Sequence, residues 1–337
     1  MARITVLGAG VVGLWQTAEL ARRGHEVRLI ERSPEPFALA ASRLAGAMLA
    51  PFCEAEAAEP VIRDMGLRSL DAWRERYPDL IERGSLVVAP PRDQTELTRF
   101  ARMTEGYEEA DGARIAELEP ALAGRYERGL FYPREAHVEP VPAMAAILET
   151  ARAAGAAVSF GETFDRPAYA AEEAAAPDSY VIDCRGLGAS AELSGLRGVR
   201  GEMLIVETKE IALSRPVRLL HPRHPLYAVP WRDGRFMIGA TVIESAEDGA
   251  VSVRSALELL GMAYTLHPAF GEAKLIEFAA GARPAFFDNI PRIVVRGRTI
   301  YVNGLYRHGY LVSPALAHYV ANYIEKGVAG AALFVHE

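Results

Sequence analysis

The chain has 337 residues, half of them apolar and 24% charged, with a formal net charge of −7. That length allows two domains, and the composition is that of an ordinary globular protein. The acidic balance, with a pI of about 5.7, argues against nucleic acid as a partner, because phosphate binding needs a basic face.

In chain order, Ile4 to Leu7 is a continuous apolar run, as expected of a strand buried on both faces. A helix is predicted from Val11 to Arg23, stopping at Gly24, and a second strand, EVRLIE, ends at Glu31. This is the βαβ opening of a doubly wound sheet. Glu59 to Tyr77 and Gln94 to Glu105 have helical period, with the strand GSLVVAP between them. RGLFYPREAHVEP reads as extended, and Pro142 to Ala154 as a helix ending at Gly155. AAVSF and SYVIDCRG are strands, and FDRPAYAAEEAAAP between them reads as a surface excursion. A β-rich segment begins at RGEMLIVET. PLYAVPWRDGRFMIGAT is a hairpin about Arg232-Asp233-Gly234, and RIVVRGRTIYVNG another about Arg296-Gly297-Arg298. Val251 to Leu266 and Leu311 to Lys326 are helical. The α/β character of the N-terminus returns at residues 179–188 and 299–327, with β-rich material between. Two interleaved domains are therefore expected: an α/β unit and an α+β unit built on an antiparallel sheet.

The run from Ile4 to Leu20 is broken by Gln16 and Glu19, and GVAGAALFV near the C-terminus is too short to span a bilayer. Met1 leads straight into a strand, so no signal peptide and a cytoplasmic location are expected. Cys53 and Cys184 form no CxxC, so no metal site is expected.

Four motifs carry chemistry. GAGVVG places Gly8, Gly10 and Gly13 between a strand and a helix. Gly8 permits the tight turn, Gly10 lets backbone approach a pyrophosphate, and Gly13 allows close helix–strand packing. The anion would sit on the helix N-terminus. Glu31 ends the second strand at the position of a ribose-binding acid, which disfavours NADP but does not separate NAD from FAD. VIDCRGLG, with Gly186 and Gly188, is either a plain strand–turn or a second close approach to the same dinucleotide. In GARPAFFDNIP, Arg283 is expected in a short segment after a strand and precedes a proline that restricts its backbone, so its fork is aimed and suited to a carboxylate. In NGLYRHGYLVSPALA, Gly304 and Gly309 flank Arg307 and His308 just before a helix, an anion-stabilising arrangement.

Taken with ASRLAGAMLAPFCE and LYAVPWRDGRFMIGAT, these motifs resemble the D-amino acid oxidase superfamily of FAD-dependent oxidases, most of all its glycine oxidase branch, over nearly the whole chain. The resemblance implies a doubly wound FAD-binding domain of glutathione-reductase type, here residues 1–85, 140–200 and 285–337. A substrate domain would comprise 86–139 and 201–284. It implies FAD as cofactor and oxidative deamination of glycine or another small amino acid by O2, with H2O2 release, in thiamine synthesis. Carried over, Gly8, Gly10 and Gly13 would line the pyrophosphate, with Glu31 and neighbouring Arg32 at the ribose. Ser42 and Arg43 would lie along the pyrophosphate and ribityl chain, Ala47 and Met48 at the flavin edge, and Phe164 beside the adenine. Gly186 and Gly188 would approach the cofactor, as would the turn Arg307, His308, Gly309, Tyr310 and Leu311. Arg283 and Tyr227 would grip the substrate carboxylate, with Arg307 as a second active-site arginine; a cap or lid role is expected for His308. Three departures stand out: Gly46-Ala47-Met48 for Gly-Gly-Met, Cys184-Arg185-Gly186 for Ala-Ala-Gly, and the large Trp15 on the first helix. Alternatives are a sarcosine or D-amino acid oxidase, a quinone-linked D-amino acid dehydrogenase, or an NAD-dependent dehydrogenase. The oligomeric state, including a homo-oligomer, stays open.

Overall fold

The computed structural model describes residues 1–164, 178–328 and 332–337; the expected excursion at 164–177 lies outside them apart from Phe164. In chain order the first elements are β1 (Arg3–Leu7), α1 (Val11–Arg22), β2 (Glu26–Glu31), β3 (Met48–Leu49), α2 (Pro60–Arg76), β4 (Ser85–Val88) and α3 (Gln94–Met103). Then come β5 (Glu108–Asp111), α4 (Gly112–Leu118), β6 (Arg128–Tyr132), β7 (Ala136–His137), α5 (Pro140–Ala153), β8 (Ala157–Phe160) and β9 (Ser179–Asp183). The remainder is β10 (Arg197–Glu207), β11 (Val217–Leu219), β12 (Leu226–Pro230), β13 (Arg235–Gly239), β14 (Ile243–Glu244), α6 (Val253–Leu266), β15 (Lys274–Ala285), β16 (Arg292–Arg296), β17 (Thr299–Asn303), α7 (Gly309–Lys326) and β18 (Phe334–His336).

Seven strands form one sheet in the order β18-β16-β17-β9-β1-β2-β8. From β8 to β17 every neighbouring pair is parallel, and the β16–β17 hairpin adds an antiparallel edge. Side chains of β1 alternate between two clusters. Ile4 and Val6 join the helices, where α1 packs against α5 and α7. Leu7 faces the other way with Ile30 and Val181. A parallel sheet covered on both faces reads as a continuous apolar run, and for that reason β1 was legible.

The helix α7 begins at Gly309, two residues before its predicted start, and runs through Pro314. Pro314 cannot donate to the Tyr310 carbonyl. The indole N–H of Trp73 donates to that oxygen instead, at 3.0 Å, so the buried carbonyl is satisfied from α2. The helix ends at Gly327, in the left-handed region at φ 66°.

The larger sheet runs β14-β10-β13-β12-β11-β4-β6-β5, with β15 lying along β10. Strand β10 is buried on both faces: Leu204 and Val206 enter one apolar cluster, Met203 and Ile205 another. Among the elements that went unpredicted are β5, α4, β11 and the 12-residue β15. KLIEFAAGARPA is rich in Ala and Gly, so it lacks the β-branched signature of a strand. Arg283 consequently sits within β15, opposite Val199, and not in a short segment after a strand. A small third sheet pairs β3 with β7, Met48 opposite His137.

The architecture is an α/β domain interleaved with a domain on a largely antiparallel sheet. Among the described residues no helix is long and apolar enough to cross a membrane. No group of three or more metal-ligating side chains is found among them.

Candidate active site

The turn from β1 into α1 is built as its glycines dictate. Gly8 has φ +93°, where an L side chain is strained. A Cβ on Gly13 would lie 1.9 Å from the Gly8 carbonyl oxygen, so no other residue fits there. The helical ladder starts with Leu14 N–H donating to Gly10, leaving the N–H groups of Val11, Val12 and Gly13 ahead of it. Val11 N–H donates to the Ser42 hydroxyl at 3.1 Å. Glu31 accepts from Ala9 N–H at 2.8 Å through one carboxylate oxygen and from Ser33 N–H at 2.9 Å through the other. The acid is thus fixed beside the glycine turn. Phe164 packs on Leu7, Ile30 and Val181, an apolar ledge next to it.

The far end of the chain reaches the same place. Gly309, at the start of α7, lies against Val11: a Cβ added to it would sit 3.5 Å from the Val11 side chain. The Tyr310 hydroxyl donates to the Ser42 carbonyl at 3.2 Å and the Pro140 carbonyl at 3.3 Å. The ladder of α7 starts with Val312 N–H donating to His308, so the N–H groups of Gly309, Tyr310 and Leu311 precede it. Two helix N-termini from opposite ends of the chain therefore converge, with Ser42 between them. Gly186 has φ +57°, and its carbonyl accepts from the Asn303 side chain at 2.9 Å. A Cβ on Gly188 would stand 3.2 Å from the Cβ of Arg185.

Arg32 is exposed at the end of β2. Arg43 turns toward β15 and pairs with Glu277 at 3.0 Å. The Leu311 side chain is in the core, against Gly66. The charge of Arg185 folds back on Asp183, at 2.6 Å, and on Glu192, at 2.9 Å, which raises its pKa against the opposing effect of burial. Trp15 faces α2, edge-on to Trp73 with centroids 4.9 Å apart, where its bulk fills the helix core. Ala47 has φ +46°, a conformation that favours the glycine expected there. Gly46 beside it lies against the Tyr227 ring, 3.0 Å from a Cβ it lacks. Met48 joins Tyr227, Val229 and Met237 in one apolar cluster.

Arg283, Tyr227 and Arg307 share one electrostatic neighbourhood with Tyr306 and Glu54. The Arg283 guanidinium lies across the backbone of Gly201, where a Cβ would fall 2.0 Å from its Nη2. It donates to the Thr241 carbonyl at 3.3 Å and, among the described residues, pairs with no carboxylate. Burial lowers its pKa below the ordinary arginine value, and Arg307 lowers it further. Turn 304–308 is brought to Arg283 by the end of β15: Tyr306 N–H donates to the Pro284 carbonyl at 2.8 Å, and Leu305 bridges Ala285.

Glu54 and Arg218 escaped the sequence analysis. Both are buried and paired with each other. Arg307 Nη2 approaches the same Glu54 oxygen at 3.5 Å, and His308 Nδ1 the other at 3.4 Å. Burial pushes the Glu54 pKa up, but the charges of Arg307 and Arg218 overcome it and hold the acid far below 4.5. His308 occupies the N-cap position, yet its side chain makes no cap hydrogen bond; burial holds its pKa down to about 4, so the ring is neutral. An arginine inside the apolar run PVRLL was the one signal for Arg218.

A family model described as FAD dependent oxidoreductase (DAO) matches residues 3–323. A Rhizobium etli protein provisionally named thiamine biosynthesis oxidoreductase ThiO is 50% identical over 320 residues, 95% of each chain. A Geobacillus kaustophilus glycine oxidase is 27% identical over 359 residues, covering 96% of this chain and 93% of its own. The crystal structure of glycine oxidase from Geobacillus kaustophilus superposes with a TM-score of 0.78 at 25% identity, covering 99% of this chain and 97% of that one.

Proposed function

Because this chain belongs to the DAO family of FAD-dependent oxidoreductases, we propose that it oxidatively deaminates glycine or another small amino acid with dioxygen. The products are an imine and hydrogen peroxide, and water converts the imine to the 2-oxo acid and ammonia. The provisional name of the Rhizobium etli relative supports a role in the thiazole branch of thiamine synthesis. The residues fit FAD: the Gly13 position admits no Cβ, Glu31 is fixed beside the glycine turn, and two helix N-termini converge there. The α1 turn and Ser42 would hold the diphosphate, the ledge with Phe164 the adenine, and the start of α7 the opposite end. Bound FAD supplies the two-electron acceptor for the α-carbon, regenerated by dioxygen.

The observation that carries the substrate class is Arg283, a guanidinium set on a glycine backbone beside no carboxylate among the described residues. A bidentate carboxylate ligand completes such a group. Tyr227, on β12 next to the Gly46 loop, would donate its hydroxyl to the same carboxylate. Arg307 adds positive field. The amine must lose its proton before oxidation, and a cationic pocket disfavours the ammonium form. Among these side chains none is placed as an α-carbon base: His308 faces Glu54, and Glu54 is committed to two arginines. Positioning and field are what these side chains contribute.

The test is an absorbance spectrum of the purified protein, then anaerobic bleaching with glycine, sarcosine and D-alanine, then admission of air. A yellow protein bleached by glycine and restored by air with peroxide formation meets the expectation. Bleaching by D-alanine or sarcosine alone would move the substrate assignment, and failure of air to restore colour would remove dioxygen as acceptor.

A further inference from the structure

Glu54 gathers side chains from two distant parts of the chain: Arg218 of β11, and Arg307 and His308 from the turn before α7. The turn that carries it is pinned from behind. Glu135 accepts from Phe52 N–H at 3.0 Å and Cys53 N–H at 2.7 Å, and Glu54 N–H donates to the Ala50 carbonyl at 3.0 Å. The carboxylate is therefore a fixed point to which its partners are held. Arg218 and Arg307 carry like charges, and that of Arg218 opposes the ionisation of Arg307. Two guanidinium groups so close need an anion between them. Of the two, Arg307 is the one able to leave: its side chain is 26% exposed on a turn, whereas that of Arg218 is 9% exposed in a strand. Glu54 is the only carboxylate in salt-bridge contact with Arg307 among the described residues.

We propose that Glu54 is a positioning residue whose carboxylate holds Arg307 at the amino-acid site, fixing how the substrate is oriented while Arg283 supplies most of its affinity. This rests on the function proposed above. The charge is what matters: an amide of the same shape still accepts a hydrogen bond from Arg218 but no longer offsets two cations.

The test uses the full-length, FAD-loaded protein and the amine that bleaches it fastest. In Glu54→Gln, kcat falls by about tenfold or more while KM moves by less than about threefold, the pattern of an interaction used mainly in the transition state. Calorimetric Kd for acetate, an unreactive carboxylate, stays within about threefold of wild type. Glu54→Asp restores part of kcat. Glu54→Gln leaves Arg218 buried without a counter-charge and can unfold the protein, so the Glu54→Gln/Arg218→Gln double variant is the second arm. A low kcat in the folded double variant supports the proposal. A return to wild-type kcat would show that Glu54 only balances Arg218, and would overturn it. A crystal structure of the double variant with Arg307 in its present place would overturn it too. If no amine bleaches the wild-type protein, the proposed function fails, and that crystal structure still decides where Arg307 goes without Glu54.

Discussion

Arg283 shows how one side chain defines a site. The Arg283 guanidinium meets no steric barrier because Gly201, two residues along β10 from its partner Val199, has no side chain. On the function proposed above, replacing Arg283 with alanine removes the carboxylate's partner from a partly desolvated pocket, a loss worth about 2–5 kcal/mol. Arg283→Ala is therefore expected to raise the apparent KM of the best amine by about 30-fold or more, leaving FAD content unchanged. Steady-state kinetics beside the flavin absorbance of each preparation check this. Colourless Arg283→Ala protein with wild-type substrate affinity would assign the residue to the cofactor instead. Arg283 could be singled out from its proline neighbour and from family likeness. The pairing of Glu54 with Arg218 could not, because the two stand 164 positions apart and nothing in the intervening chain marks it. A buried ion pair exists in the sequence only as two ordinary charged residues.

At the scale of elements, the β1–α1 unit is the most completely encoded part. Its glycines, its apolar strand and its terminal acid each have a local reason. Gly13→Ala places a methyl group 1.9 Å from the Gly8 oxygen, so helix and strand must separate. The expected cost is at least about 1–3 kcal/mol, with loss of FAD from the purified protein. Gly261→Ala in α6 is the control: nothing lies within 4 Å of the added carbon, and the change should stabilise by roughly 1 kcal/mol. Urea midpoints and flavin content separate the two. A Gly13→Ala variant that kept full colour and stability would mean the turn can open without consequence. By contrast β15 was illegible. Its partner β10 lies 67 or more residues back, from Glu207 to Lys274, and the Ala-rich strand owes its conformation to that pairing rather than to its own propensities.

For the molecule as a whole, acid is the informative perturbation. Burial holds His137 and His308 to pKa values of about 4 against an ordinary 6.5. Between those limits the unfolded chain binds protons that the folded chain refuses, so stability falls as pH drops from 6.5 toward 4. Glu19 acts in a lower window. Burial opposes its ionisation, but Arg76, Arg22 and Arg23 bring its pKa down to about 2, and its contribution is lost between 4.5 and about 2. Melting temperature is expected to decline from about pH 6.5 downward, before carboxylate titration begins. His308→Asn should decline less steeply over that range. Equal slopes would mean the folded protein already carries a charged ring at position 308. What the sequence by itself determined was the glycine turn between β1 and α1, the interleaving of an α/β unit with a β-rich one, and the family. Each is written in short-range patterns of glycine, apolar period and acid spacing. What only the tertiary structure decided was the charge arrangement at the site: which cation is neutralised, which is left for a ligand, and which acid stands between. Those depend on distances between segments far apart in the chain, and burial strengthens every one of those interactions in a way no linear pattern records.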